Sequence, residues 1–277
     1  MKFALHLPNF GPFGDPRALV RVATTAEQAG WDGLFLWDHI RWEHDRWPVT
    51  DPWIALAAIA ALTSRLALGP MVTPLPRRRP SKLAREAVAL DQLSNGRLIF
   101  GAGLGWGQET EFAALGEDGD ERIRAAKLDE ALDVLEGLWT GEPFSFAGEH
   151  YTVTGATFEP PPVQRPRIPI WIAGLWPNKR PFRRAARWDG AFPERRDGGT
   201  LTPGEVADVA RFMDQSAPST HAREIAIAGY ADDHRRSFAE YERSGLTWWL
   251  ERIDPGRGLD LERTLALAAA GPPGRRS

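Results

Sequence analysis

Residues 65–103, RLALGPMVTPLPRRRPSKLAREAVALDQLSNGRLIFGAG, hold one complete strand–helix–strand unit. Arg65–Thr73 reads as a strand that is nearly apolar throughout, the pattern of a strand covered on both faces. Ser81–Ser94 carries apolar residues at helical spacing, and Asn95-Gly96 supplies its stop. Arg97–Gly103 is a second buried strand. Two such strands joined by a helix lie parallel through a right-handed crossover.

The same alternation extends to both ends of the chain. Toward the N-terminus, Lys2–Pro8 and Gly33–His39 read as strands. Between them Pro16–Gly30 reads as a helix, with Asp15 as N-cap and Gly30 as stop. Asp51 caps a further helix, PWIALAAIAALTS. Toward the C-terminus, Glu121–Trp139 is a long helix with Leu128, Leu132, Leu135 and Leu138 on one face. Residues 142–169 break the rhythm: FSFAGEHYTVTG alternates like a small hairpin, and a proline-rich run follows, so this segment is an excursion over the surface. Strands then fall at Pro169–Gly174, Asp189–Pro193 and Glu224–Gly229, with an eighth beginning at Thr247–Leu250. Helices fall at Arg180–Trp188, after the Thr202 cap, at Asp233–Gly245 and at Leu259–Ala270. Eight strand–helix units favour an α/β chain closed into a (β/α)8 TIM barrel, a single domain over 1–277. An open doubly wound sheet alternates too, so the count alone does not decide between them.

Composition narrows the function. A net charge of -3 gives no reason to expect nucleic acid or an anionic membrane as partner. The absence of cysteine excludes disulfides, thiolate metal sites and cysteine nucleophiles, and the histidines show no metal-ligand spacing. The N-terminal apolar run is broken by Pro8 and Gly11, too short for a secretory signal, and no stretch is long enough to span a membrane. A soluble cytoplasmic protein is the expectation. The helix after Asp51 carries no charge between Pro52 and Ser64, which suggests a homodimer interface; burial under a loop of the same chain is the alternative.

In a barrel the chemistry lies where strands end and loops begin. Four clusters sit there. Asp38 and His39 close the second strand, where histidine acts as acid, base or hydrogen-bond partner; a loop-capping role is the plain alternative. Met71 and Val72 lie between Pro70 and Pro74, so the third strand must bend or bulge there, unless it simply exits into its loop. Gly101, Gly103, Gly105 and Gly107 alternate after the fourth strand and admit a close-lying ligand around Trp106. The carboxylates Glu109 and Glu111 follow, with Glu109 the candidate acid and helix-start acids the alternative reading. Ala173, Gly174, Asn178 and Arg180 mark a helix start suited to a phosphate, or merely a basic helix start. Several tryptophans near predicted strand ends (Trp37, Trp106, Trp171, Trp176, Trp248, Trp249) offer aromatic walls for a flat ring, or core packing.

Three stretches carry a family resemblance: LALGPMVTPLPRRRPSKLAREAVALDQLSNGRLIFGAGLGWG, LDEALDVLEGLWTGEPFSFAGEHY, and QRPRIPIWIAG with AARWDG. They resemble the luciferase-like monooxygenase superfamily over residues 1–192. The resemblance implies a (β/α)8 barrel, usually a homodimer, using either FMN, reduced by a separate partner reductase, or the deazaflavin coenzyme F-420. It implies an oxidoreductase acting on a small organic substrate, by monooxygenation with FMN or hydride transfer with F-420. It places Asp38 and His39 against the cofactor ring, a non-proline cis peptide at Met71-Val72 beneath it, Gly103 to Trp106 around it, and Ala173 and Gly174 at its phosphate end. Some deazaflavin sugar dehydrogenases have a catalytic glutamate where this chain has Trp106, which argues against that chemistry and leaves His39 as the candidate proton donor. Pro70 and Met71 depart from the expected Thr-Gly or Thr-Ser, and the short chain implies a reduced insertion region and an open mouth. The alternatives are a non-catalytic flavin-binding protein on the same barrel and an isomerase or aldolase barrel, for which no lysine stands at a strand end.

Overall fold

The computed structural model describes residues 1–42, 46–217 and 222–273. Among them eight parallel strands form a barrel: β1 (Lys2–Leu7), β2 (Gly33–Leu36), β3 (Ala67–Pro70, resuming at Thr73–Pro74), β4 (Phe100–Gly103), β5 (Ile170–Trp176), β6 (Gly190–Arg195), β7 (Glu224–Gly229) and β8 (Trp248–Arg252). Their order is β3-β2-β1-β8-β7-β6-β5-β4, and the second part of β3 pairs with β4 to close the ring. A parallel bridge between Leu68 and Leu98 reinforces the closure below the break in β3.

The helices are α1 (Pro16–Gln28), α2 (Pro52–Leu62), α3 (Pro80–Leu93), α4 (Glu121–Trp139), α5 (Lys179–Ala185), α6 (Pro203–Ser216), α7 (Ala231–His234), α8 (Phe238–Arg243) and α9 (Leu261–Ala269). Their caps are local: Asp15 and Asp51 accept backbone N–H groups at the starts of α1 and α2, and Thr202 with Glu205 forms a capping box on α6. One expected helix, Asp233–Gly245, is divided by a 3-10 turn at Arg235–Ser237. Its two pieces are pinned separately: the Ala231 amide donates to Glu251 at 2.9 Å, and the Tyr241 hydroxyl donates to the Leu201 carbonyl at 2.7 Å.

Arg97 explains the DQLSNGR stretch. Its guanidinium donates to the carbonyls of Ala60, Thr63, Leu66 and Ser94, so one side chain satisfies orphan carbonyls at the ends of α2 and α3. Residues 144–156 form the expected hairpin, Phe144–Ala147 against Thr152–Ala156, lying along α4. Among the described residues nothing covers the outer face of α2: Ile54 and Leu62 are 67% and 62% exposed. No helix among the described residues is long and apolar enough to cross a membrane.

The barrel interior is filled by Ala4, Phe35, Met71, Trp171, Phe192, Ala226, Ala228, Trp248 and Leu250. Trp171 and Trp248 meet edge to face at 5.6 Å, in space left by two glycines. A Cβ on Gly190 would lie 2.6 Å from Trp171, and one on Gly33 would lie 3.0 Å from Trp248. Of the two readings of the strand-end tryptophans, core packing holds for Trp171, Trp176, Trp248 and Trp249. Strand alternation sends Trp248 inward as a plug and its neighbour Trp249 outward onto Phe238 and Tyr241. Trp176 packs on Phe182, Trp106 is exposed, and of the six only Trp37 lies half-buried at a strand end beside the site histidines.

Candidate active site

The floor of the barrel mouth is set by the break in β3. The Met71-Val72 peptide is cis, at the position where the two flanking prolines demanded a bend. His6, on β1, makes a 3.0 Å hydrogen bond from Nε2 to the Met71 carbonyl. A carbonyl only accepts, so Nε2 carries the proton and Nδ1 is bare. Burial pushes His6 down to about 3, so it is a neutral, fixed donor across the ordinary pH range. Its ring centroid lies 5.6 Å from Trp37 and 5.4 Å from Phe192. His6, Trp37, Met71 and Phe192 therefore form one contiguous platform.

One flank of the mouth is a chain of ion pairs. Glu111 Oε1 pairs with His39 Nδ1, and Glu111 Oε2 accepts from Arg77 at 2.7 Å. The same Arg77 donates to the Asp38 carbonyl at 2.6 Å and to its carboxylate at 3.1 Å. Arg78 donates to both Asp38 oxygens, at 2.9 and 2.7 Å, and Thr73 adds a further donor at 3.2 Å. The side chains of Asp38, Arg77 and Glu111 are all at most 4% exposed. Buried charges tolerate such positions only when paired, and here each carboxylate has cationic partners. The Glu111 carboxylate also fixes the histidine: with Nδ1 held, Nε2 is the ring atom left to meet a ligand.

The opposite flank is arranged differently. Side chains alternate along β6, and Phe192 faces the interior, so Glu194 faces the interior one layer nearer the mouth. Arg252 stands at the level of His6 on β8, on the same side as Leu250. Its guanidinium is anchored by donations to the Gly198 and Ala228 carbonyls. No side-chain hydrogen bond reaches Glu194 among the described residues. Burial pushes its carboxyl above the ordinary range, against the opposing pull of Arg252.

The structure brings Asp38, His39, Met71 and Val72 together, with Gly103 beside them: a Cβ there would lie 2.8 Å from Val72. Gly105 has φ +83°, and a Cβ would strike Pro74 at 2.6 Å, so only glycine suits the turn. Glu109 does not join the cluster. It is exposed, and Glu111 takes the place beside His39. The reason is local: Gly107 is left-handed (φ +72°), and the following wide turn, Gln108–Phe112, rotates the second acid inward and the first outward. Gly174 has a packing reason, since a Cβ would meet Pro181 of α5 at 2.2 Å. Asn178 caps α5 by accepting from Arg180 N, and both residues are exposed at its start. The sequence reading missed Arg77, Arg78, Glu194 and Arg252. The RRRP run was the available signal for the first two.

The chemistry of the mouth's lining suits a flat ring. Trp37, His39, Val72, Leu104, Ala173 and Leu175 are half-buried around the mouth, apolar or planar, with His39 supplying a directed polar contact. The sequence profile of the luciferase-like monooxygenase family matches residues 1–193. An F420-dependent glucose-6-phosphate dehydrogenase of Gordonia bronchialis is 33% identical over 256 residues, covering 90% of this chain and 68% of that one. The enzyme of the same description from Nakamurella multipartita is 35% identical over 167 residues, 58% of this chain and 48% of that one. The chain thus spans between about half and two thirds of the length of these curated relatives. The fold also matches an F420-dependent secondary alcohol dehydrogenase solved with an F420-acetone adduct, with a TM-score of 0.81 at 15% identity, covering 100% of this chain and 99% of that one.

Proposed function

The chain belongs to the luciferase-like monooxygenase family, and from that membership we propose that it is an oxidoreductase that binds the deazaflavin F-420 at the barrel mouth and exchanges a hydride with a small organic substrate. The observation that carries the reading is the Asp38-His39 pair locked by Glu111, Arg77 and Arg78 beside the Met71-Val72 bulge. Relatives described as F420-dependent support F-420 over FMN.

The cofactor, when bound, supplies a hydride donor or acceptor at its ring carbon. The protein's part is to hold and orient. Met71 and Val72 back the ring, with the Met71 carbonyl fixed from behind by His6. Gly103, Gly105 and Trp106 border it on the β4 side, and Ala173, Gly174, Asn178 and Arg180 lie toward its phosphate. His39 presents Nε2 to the ring or substrate, positioned by Glu111. Arg77 and Arg78 hold the Asp38 carboxylate in place. Glu109 has no role in this account.

The uncovered apolar residues of α2, Ile54 and Leu62, support a homodimer through that face. A cytoplasmic enzyme supplied with reduced cofactor by a separate reductase accords with this reading. Titration of the apo protein with F-420 and with FMN tests the cofactor. Saturable binding of F-420 in the micromolar range is expected; micromolar FMN binding with no detectable F-420 binding overturns it.

A further inference from the structure

We propose that Glu194, at the end of β6, is the acid that delivers a proton to the oxygen of a carbonyl substrate and accepts it back from the hydroxyl in the reverse direction. The inference rests on the oxidoreductase reading above and adds a substrate class, an alcohol–carbonyl pair.

The other groups at the mouth are committed. The oxygens of Asp38 and Glu111 are all taken up by hydrogen bonds and ion pairs with Arg77, Arg78, Thr73 and His39, which leaves none of them directed at a substrate. The single proton of neutral His6 is fixed on the Met71 carbonyl. Glu109 lies outside on the surface. His39 is tethered through Nδ1, so it orients what it touches. Glu194 alone of these combines an interior position with no hydrogen-bond partner among the described residues. It stands above Phe192, which packs on His6 at 5.4 Å, and so across the platform from His39.

The groups facing Glu194 define its behaviour. From β8 comes Arg252, from β1 the neutral His6, from β5 the apolar Leu175, and from β7 the apolar Ala226 and Ala228. Beyond Arg252, Asp254 is 3.8 Å from its Nε and accepts from Tyr230 at 2.7 Å. The adjacent Arg195 turns away, to Asp197 and Glu205. Desolvation without hydrogen-bond donors favours the protonated acid. Burial accordingly pushes Glu194 upward, with Arg252 only partly offsetting it.

Reduced deazaflavin, if bound, would supply the hydride that forms the C–H bond at the carbonyl carbon while the carbonyl π pair moves onto oxygen. That oxygen takes the proton from Glu194, giving the alcohol. The substrate is reduced by two electrons and the cofactor oxidised by two. Glu194 is left as a carboxylate beside anchored Arg252, and its half-buried position lets solvent restore the proton.

Infrared titration of the carboxyl groups, in the full chain and in Glu194→Gln, tests the proposal first without ligand and then with F-420. The wild-type-minus-variant difference should show a protonated carboxyl band that persists above the ordinary glutamate value of 4.5 and shifts when F-420 binds. A band that is lost at the ordinary value, or that ignores bound F-420, overturns it. In loaded protein, propan-2-ol and glucose 6-phosphate serve as probe alcohols. With either that turns over, Glu194→Gln should lower kcat by about 100-fold or more while KM and F-420 affinity stay within about threefold, and Glu194→Asp should recover part of the rate. Wild-type kcat in Glu194→Gln overturns it. If F-420 does not bind, the cofactor reading fails, and the ligand-free titration still upholds or overturns the acid.

Discussion

On the β2–β4 side of the mouth, Asp38 and Glu111 are buried among Arg77, Arg78, Thr73 and His39, with every cation at hydrogen-bonding distance. On the β6–β8 side, Glu194 has Arg252 as its charged neighbour and no hydrogen bond among the described residues. The first arrangement holds charge in place at the cost of desolvating several ions. The second leaves an acid that gains or loses a proton with little rearrangement. One flank is suited to fixing a cofactor ring and the other to moving a proton, so the two sides of one mouth divide orientation from chemistry.

The largest effect expected from breaking this contrast is on stability. Arg77→Met strands two buried carboxylates and should cost about 3–5 kcal/mol, read from chemical denaturation. Arg252→Met frees two backbone carbonyls and removes the cation beside Glu194 and Asp254, the latter still held by Tyr230, and should cost about 1–3 kcal/mol. Equal costs would erase the distinction between the flanks.

Glu251 is an intermediate case. It is buried on the outer side of β8, where it accepts from Ala231 N and Trp249 Nε1. Burial raises it to about 7 from the ordinary 4.5. A folded-state value above the unfolded one contributes stability fully at pH below 4.5 and loses it as pH rises to about 7. Relative to Glu251→Gln, the wild type should therefore lose on the order of 3 kcal/mol of unfolding free energy across that window. Parallel pH profiles for the two proteins would contradict the assignment.

Within the first flank, Glu111→Gln should lower turnover by about 100-fold through misplacement of His39, with F-420 affinity little changed. Glu109→Gln, two residues away, should stay within about twofold of wild type, as a solvated surface change does. Reversal of that order would restore the first acid to the site. Smallest of all, Trp106→Ala should change stability by less than about 0.5 kcal/mol, because the side chain is exposed. Any loss of F-420 affinity in that variant then reports direct contact with the ligand.

The barrel was legible because buried parallel strands and capped helices leave strong local patterns. What the pattern missed lies where the strands end. The apolar runs stop at Pro193 and Leu250, while the hydrogen-bonded strands continue to Arg195 and Arg252. Glu194 and Arg252 occupy those last positions because the mouth is where inward side chains turn polar. The pairing of residue 39 with 111, and of residue 38 with 77 and 78, joins three separate loops and leaves no trace in local spacing. Glu109 and Glu111 are equivalent as sequence signals; the turn set by Gly107 distinguishes them.

A crystal structure of the F-420 complex tests the division of the mouth most directly. The ring should lie on Met71-Val72, with His39 Nε2 at hydrogen-bonding distance from the ring or substrate and Glu194 across the face open to substrate. A ring bound away from Met71-Val72, or one whose open face is turned from Glu194, would contradict the account.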